Sequence, residues 1–338
     1  MSGLYVAGAG MWLPPVMTLD EAEAQGLRSG ALGRNTGFRS VCVSRGEAPP
    51  EMAVRAALDA VDQSGRAPED ISLLLHACAY HQGHDMWSPA SYIQRLALGN
   101  RCLALEVRQM SNGGMAALEL AAAHLAADPS RDAVLITTAD RFCLPGFDRW
   151  SSDPSTLCGD GGTALVLSSR GGWARVRSLV TVSDPGLERG GRGDKPFSEA
   201  PLSGGGPIDM NSNATVLTRE LGLEALVGRI ASGQGEALDR ATQQAAVKLS
   251  DIDRFILPNM GRTRMKAHFF DPFDIDPART TWDWGSTVGH LGAGDQIAGL
   301  AHLSTNGDLT PGDLYLLAGI GAGFTWTVAI LEVTGLAE

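Results

Sequence analysis

An α/β layer protein made of two similar halves is the fold class the sequence predicts, and three observations predict it. Short apolar runs alternate with Ala-rich helical stretches, as in proteins that stack helices on sheets. Two fourteen-residue segments share one plan: Asn112 to Leu125 reads NGGMAALELAAAHL, and His290 to Leu303 reads HLGAGDQIAGLAHL. Each is followed about ten residues later by an apolar strand, AVLITT or LYLLAG, and each half closes through a Gly-rich turn into a last strand, CGDGGTALVLS or GIGAGFTWTVAILEV. Order and spacing recur together, which reads as an internal duplication with halves at 1–170 and 171–338.

In the first half the apolar runs predict strands at Leu4 to Ala7, Ile71 to Ala77, Ala104 to Val107, Ala133 to Thr137 and Thr163 to Leu167. In the second they predict Val176 to Thr181, Arg254 to Leu257, Leu314 to Ala318 and Thr325 to Glu332. Helices are expected over Pro50 to Gln63, Ser88 to Ala97, Gly114 to Ala127, Ala214 to Leu221, Gly235 to Lys248 and Asp295 to Leu303.

Composition narrows the function classes. At 338 residues and 44% hydrophobic the chain can bury a large core. No apolar run reaches the roughly eighteen residues of a membrane span, and MSGLYVAGAGMWLPP lacks the basic start of a signal peptide, so a cytoplasmic protein off the membrane is expected. The five cysteines form no CxxC pair and read as small hydrophobes in a reducing compartment. A net charge of -11 argues against nonspecific nucleic-acid binding. The Gly-rich stretches at Gly204 to Gly206 and Gly319 to Gly323 hold neither a P-loop nor a dinucleotide fingerprint.

In a duplicated layer protein, helix N-termini from both halves converge where the halves meet. Ser111 follows the strand-like ALEVRQM and precedes Asn112-Gly113-Gly114, so a sharp turn presents it at a helix N-terminus that favours negative charge. Two readings follow: an N-cap, or a nucleophile, which as an alcohol needs a base. His290 stands at the matching position of the second half, with Asp295 one turn later; either these are ordinary residues of a helix start, or imidazole and carboxylate complete a nucleophilic triad. In Leu257 to His268, LPNMGRTRMKAH, Arg262, Arg264 and Lys266 come at alternate positions after Asn259. They read as a solvated charged face or as a platform for the phosphate of a phosphopantetheine donor and its acidic carrier. His76, His81 and His84 around Asp85 match no metal-site spacing.

The closing GDLYLLAGIGAGFTWTVAILE, the CGDGGTALVL segment and SPASYIQRLALG together resemble the ketoacyl synthase III branch of the thiolase superfamily, over nearly the whole chain. The resemblance implies a five-layered α-β-α-β-α thiolase fold with two mixed sheets. It also implies a homodimer in which the loop at Asp85, Met86 and Trp87 approaches the partner's site, and a thioester of carrier protein or coenzyme A as acyl donor. The chain departs from that family where the chemistry sits. Met110-Ser111-Asn112-Gly113-Gly114 replaces a family Ala-Cys-Ser-Gly-Phe, Pro258-Asn259-Met260-Gly261-Arg262 replaces Pro-His-Gln-Ala-Asn, and Ser286 falls where the second asparagine is expected. The His-Asn pair that holds an enolate during decarboxylative condensation is thus largely missing.

The resemblance leaves intact the means of making an acyl-enzyme, with the N–H groups of Ala322 and Ser111 as oxyanion donors. The Gly-His-Leu-Gly-Ala-Gly-Asp run resembles that of a subgroup from antibiotic pathways that passes acyl groups to hydroxyls, and serine for cysteine resembles a starter-unit branch of polyketide pathways. The expectation is acyl transfer through an acyl-serine to a hydroxyl or amine of a small acceptor. The alternatives are starter-unit condensation, with Asn259 and its neighbours standing in for the lost pair, and a non-catalytic initiation partner. The segment Gly190 to Gly206 is expected at the acceptor's mouth.

Overall fold

The computed structural model describes residues 3–28, 36–201, 203 and 205–335. In the first half β1 (Tyr5–Trp12), β2 (Val16–Thr18), α1 (Leu19–Ala24), β3 (Ser40–Cys42) and α2 (Pro49–Ser64) precede β4 (Ile71–Ala77), α3 (Pro89–Ile93), β5 (Leu103–Val107), α4 (Gly113–Ala126), β6 (Ala133–Asp140) and β7 (Gly161–Ser168). In the second, β8 (Ala174–Ser183), α5 (Arg189–Arg192), α6 (Met210–Leu221), α7 (Leu223–Ala245), β9 (Arg254–Ile256), α8 (Arg262–Met265) and α9 (Asp271–Phe273) precede α10 (Trp282–Val288), α11 (Asp295–Thr305), β10 (Leu314–Gly321) and β11 (Thr325–Val333).

Local chemistry sets these limits. Helix α2 starts on Pro49 and Pro50, whose missing N–H groups cost nothing in a first turn, while the Glu51 carboxylate accepts the Ala48 N–H at 2.8 Å. It stops at Gly65, φ 62°. Helix α7 begins twelve residues before the expected Gly235, because Gly228, Gly233 and Gly235 weaken the helical signal that the apolar face of Leu226, Leu238 and Ala241 supplies. The strands β2 and β3, three residues each, are too short for a periodicity signal.

Nine strands run in the order β5-β4-β6-β7-β1-β8-β11-β10-β9. The two mixed sheets expected from the resemblance are therefore joined, though only through two residue pairs, Tyr5 with Arg175 and Val6 with Ala174. Outward from that junction each half repeats one order, first strand, last strand, next-to-last, second: β1-β7-β6-β4 on one side and β8-β11-β10-β9 on the other. Beyond β4 lies β5; beyond β9 the matching place is held by a single parallel bridge from Phe255 to Thr280.

Helices α4 and α11 share one interior with strands of both halves: Met115, Leu118 and Leu125 of the first helix and Ile297 and Leu300 of the second pack with Leu75, Ile136 and Leu165 and with Leu317, Ala329 and Leu331. The opposite strand faces pack on α2 and α3 in the first half, and on α7 in the second. Alternate residues of one strand serve different interiors, Tyr315 and Leu317 the central one and Leu316 and Ala318 the outer. Strands buried on both sides read as continuous apolar runs, which is why they were visible in the sequence.

Candidate active site

The chain leaves β5 and turns once, at Met110 to Asn112, before α4 begins. Met110 adopts φ 48°, a left-handed conformation uncommon outside glycine and one that marks a sharp turn held by its surroundings. The side chain of Ser111 does not cap α4; its Oγ lies 2.8 Å from Nε2 of His290. Nδ1 of His290 lies 2.6 Å from Oδ2 of Asp295. The triad residues expected from the two helix starts are thus in hydrogen-bonded line.

Close packing brings the helix starts together. A Cβ on Gly114 would lie 2.6 Å from the Ala293 carbonyl oxygen, a space only glycine leaves open. His290 is fixed through its main chain: its N–H donates to Leu157 O and its carbonyl accepts the Gly159 N–H, both at 2.9 Å. That segment is held in turn by a buried pair the sequence did not announce, Arg149 with Asp160. The guanidinium donates to both Asp160 oxygens and to the Cys42 and Cys158 carbonyls, while Asp160 accepts the Ser44 and Phe142 N–H groups. Neither residue was singled out from the sequence, because Arg149 and Asp160 meet only across a loop.

Asp295 begins α11, is 2% exposed, and accepts the N–H groups of Leu291 at 2.8 Å and Asn259 at 2.7 Å besides the imidazole. Burial works against a charged His290, but the carboxylates of Asp295, Asp153 and Asp140 together outweigh it, so the imidazole pKa stands above its ordinary 6.5. Since the Nδ1–H donates to Asp295, the neutral ring offers the bare Nε2 to the Ser111 hydroxyl. A second buried carboxylate, Asp140, accepts the Ala79, Tyr80 and Ala293 N–H groups beneath this loop and is pushed up to about 6 by burial.

The Gly-rich end of β10 lies directly on the Ser111 turn. A Cβ on Gly321 would sit 2.4 Å from Gln109 O, and one on Gly319 2.4 Å from Asn112 Oδ1. Ala322 follows at once, half-buried. Opposite it a Cβ on Gly191 would lie 3.4 Å from the Ala322 side chain, so α5 faces the closing loop.

Other expectations need correction. Asn259 is buried with Nδ2 donating to Gly289 O at 3.0 Å, and its N–H supports Asp295. Ser286 is likewise engaged, donating to Asp283 O and accepting from Arg39. Arg262, Arg264 and Lys266 do not alternate along an extended loop but lie on α8 and the helical turn that continues it, a segment the basic residues disguised. Arg264 is paired with buried Asp153 at 2.6 Å, Arg262 stacks over Trp282 at 6.0 Å, and Lys266 stands 3.4 Å from Asp271. Part of the stretch Gly204 to Gly206 expected to be Gly-rich loop, Gly204, lies outside the described residues, as does Leu202.

His76 is buried between Thr137 and Gln82, away from His81 and His84, and among the described residues no cluster of His, Cys, Asp or Glu is arranged to hold a metal. The loop from Tyr80 to Trp87 lines an open cleft of about 270 Å³ in which Met86 stands fully exposed. No described helix is long and apolar enough to cross a membrane. All five cysteines are free thiols, and burial pushes Cys42 and Cys78 up to about 12, where they are inert.

Comparison with known proteins agrees with this architecture. Residues 242–333 match the family described as 3-oxoacyl-(acyl-carrier-protein) synthase III C-terminal. The beta-ketoacyl-(acyl-carrier-protein) synthase III 5 of Streptomyces coelicolor is 26% identical over 99% of this chain and 100% of its own. The corresponding synthase III of Clostridium perfringens is 22% identical over 98% and 100%. Among solved structures, 3-oxoacyl-(acyl carrier protein) synthase III of Pseudomonas aeruginosa superimposes with a TM-score of 0.76 at 22% identity, covering 99% and 100% of the two chains, and shows the fold. The acyltransferase ChlB3 superimposes with a TM-score of 0.92 at 35% identity, covering 99% of this chain and 98% of its own. Likeness of that degree over both whole chains, together with the shared fold, makes this chain a member of the ketoacyl synthase III-like family of the thiolase superfamily.

Proposed function

We propose that this protein is an acyltransferase that takes an acyl group from a carrier-protein or coenzyme A thioester onto Ser111 and passes it to a hydroxyl or amine of a small acceptor. The observation that carries the proposal is the continuous line Ser111, His290, Asp295 at 2.8 Å and 2.6 Å. Nε2 of His290 takes the Ser111 proton as Oγ attacks the thioester carbonyl. The C–O bond forms, the tetrahedral oxyanion rests on the N–H groups of Ser111 and Ala322, and the C–S bond breaks as the thiol leaves with the proton from His290. The acceptor then repeats the sequence in reverse. An ester is less reactive than a thioester, so the intermediate survives while a bulky acceptor seats.

The neighbouring elements support this reading. Helix α5, tied by Asn213 Nδ2 to Gly191 O at 2.8 Å, faces Ala322 where an acceptor's mouth is needed. Arg262 and Lys266 remain the cations for the donor's phosphate. The common strand order of the halves supports a duplication with halves meeting near residue 170, in five layers α-β-α-β-α. The edge strand β5 exposes Leu103 and Leu105 at 60% and 45%, supporting a homodimer that carries the Trp87 loop to the partner's site. The pathway we assign is of antibiotic or polyketide type.

The second reading, starter-unit condensation, is favoured by the names of the curated relatives, which are condensing enzymes. Against it stand Asn259 and Ser286, whose side chains are committed elsewhere. Incubation with acyl-carrier protein should add one acyl mass to the Ser111 peptide, and Ser111→Ala should abolish it with the fold intact; an unmodified wild-type peptide refutes acyl transfer and condensation alike. Malonyl-carrier protein should then release no carbon dioxide, whereas release would establish condensation.

A further inference from the structure

Two polar side chains flank the nucleophile, and both reach the same strand. Gln109 Nε2 donates to Thr325 Oγ1 at 2.8 Å, and Asn112 Nδ2 donates to Thr327 Oγ1 at 2.9 Å. The threonines are alternate residues on one face of β11. Each meets a hydroxyl in register on β8: Thr325 lies 3.1 Å from Ser183, and Thr327 lies 2.9 Å from Thr181.

The inner arm has one consistent direction. Thr181 donates to the Glu119 carboxylate on α4, so its oxygen accepts from Thr327, whose own oxygen accepts from Asn112. Every proton in the chain points toward Glu119, so the acceptor offered to Asn112 is fixed and not a freely rotating hydroxyl. Asn112 is completely buried, and its Oδ1, lying over Gly319, has no hydrogen-bond partner among the described residues. Thr327 is therefore the polar anchor of the residue immediately after Ser111.

We propose that Thr325 and Thr327 are positioning residues that clamp the nucleophile's turn from both sides, holding the left-handed Met110 and thereby the Ser111 oxygen against Nε2 of His290. This rests on the acyl-serine reading, and the test separates the two. The whole chain is treated with a fluorophosphonate, which forms a bond from Ser111 oxygen to phosphorus, expels fluoride, and needs no knowledge of the natural acyl group. Its labelling of the Ser111 peptide is followed by mass spectrometry.

Since a misplacement of about 1 Å can cost ~10²-fold, Thr327→Val should lower the maximal labelling rate by about 30-fold. The half-saturating probe concentration and the pH midpoint set by His290 should not move, and Thr327→Ser should stay within about threefold of wild type. Gln109→Ala and Thr325→Val, which loosen the outer arm, should each cost about tenfold and decide the matter if Thr327→Val does not fold. Wild-type labelling rates in the folded variants, whatever their melting temperatures, overturn the clamp. A wild-type Ser111 that takes no label overturns the acyl-serine reading itself.

Discussion

At Nε2 of His290 the direction of a pH effect can be worked out. Burial is opposed by the carboxylates of Asp295, Asp153 and Asp140, and together they prevail, leaving the folded imidazole above its ordinary 6.5. Only the neutral ring accepts the Ser111 proton, so acylation should climb with pH through a midpoint above 6.5. Asp295→Asn leaves only Asp153 and Asp140 to oppose burial. The midpoint should fall while the plateau drops by about 10³-fold, measured as the pH profile of Ser111 labelling. For folding the sign is opposite: a proton held more tightly in the folded state stabilises fully below the unfolded pKa, and that stabilisation is lost as pH rises through the folded one. Of these residues Ser111, His290 and Asp295 were legible because each sits at a repeated helix start, where spacing alone implies proximity. What Asn259 does was not legible: asparagine in that loop suits a donor to substrate equally well, and only coordinates show its amide bound to Gly289.

At the scale of the element, the site depends on surfaces that touch without intervening side chains. The end of β10 runs so near the Ser111 turn that Gly321→Ala must push against the Gln109 carbonyl, 2.4 Å from the new Cβ. Acylation should fall by about 10²-fold or more, read as the rate of the acyl mass shift. A separate support lies behind His290. Arg149→Met would leave the Asp160 carboxylate, 0% exposed, without its cation. Unfolding free energy from urea titration should drop by about 3–5 kcal/mol. Long strands and the apolar helices α2, α4 and α11 were readable from periodicity and composition. Helix α8 was not, since three cations within five residues look the same on a helix as on a loop until Arg264 is seen meeting buried Asp153.

For the whole molecule, the apolar edge of β5, with Leu103 and Leu105 exposed, is the feature on which the proposed homodimer rests. Leu103→Lys with Leu105→Lys should give a species of half the mass in sedimentation equilibrium, and should slow acylation if the Trp87 loop serves the neighbouring site. The repeat was visible in two fourteen-residue segments, yet the joining of the halves was not, because a contact of two residue pairs between β1 and β8 leaves no composition signal. That slender seam matters for how the protein comes to life. The proposed nucleophile Ser111 and proposed base His290 come from opposite halves, whose common interior is built around α4 and α11. A chain emerging from the ribosome therefore carries an unactivated serine until its last strands have docked, and separately expressed halves should be inert alone and recover labelling only on mixing. On the proposed mechanism, chemistry in this protein is a readout of completed assembly.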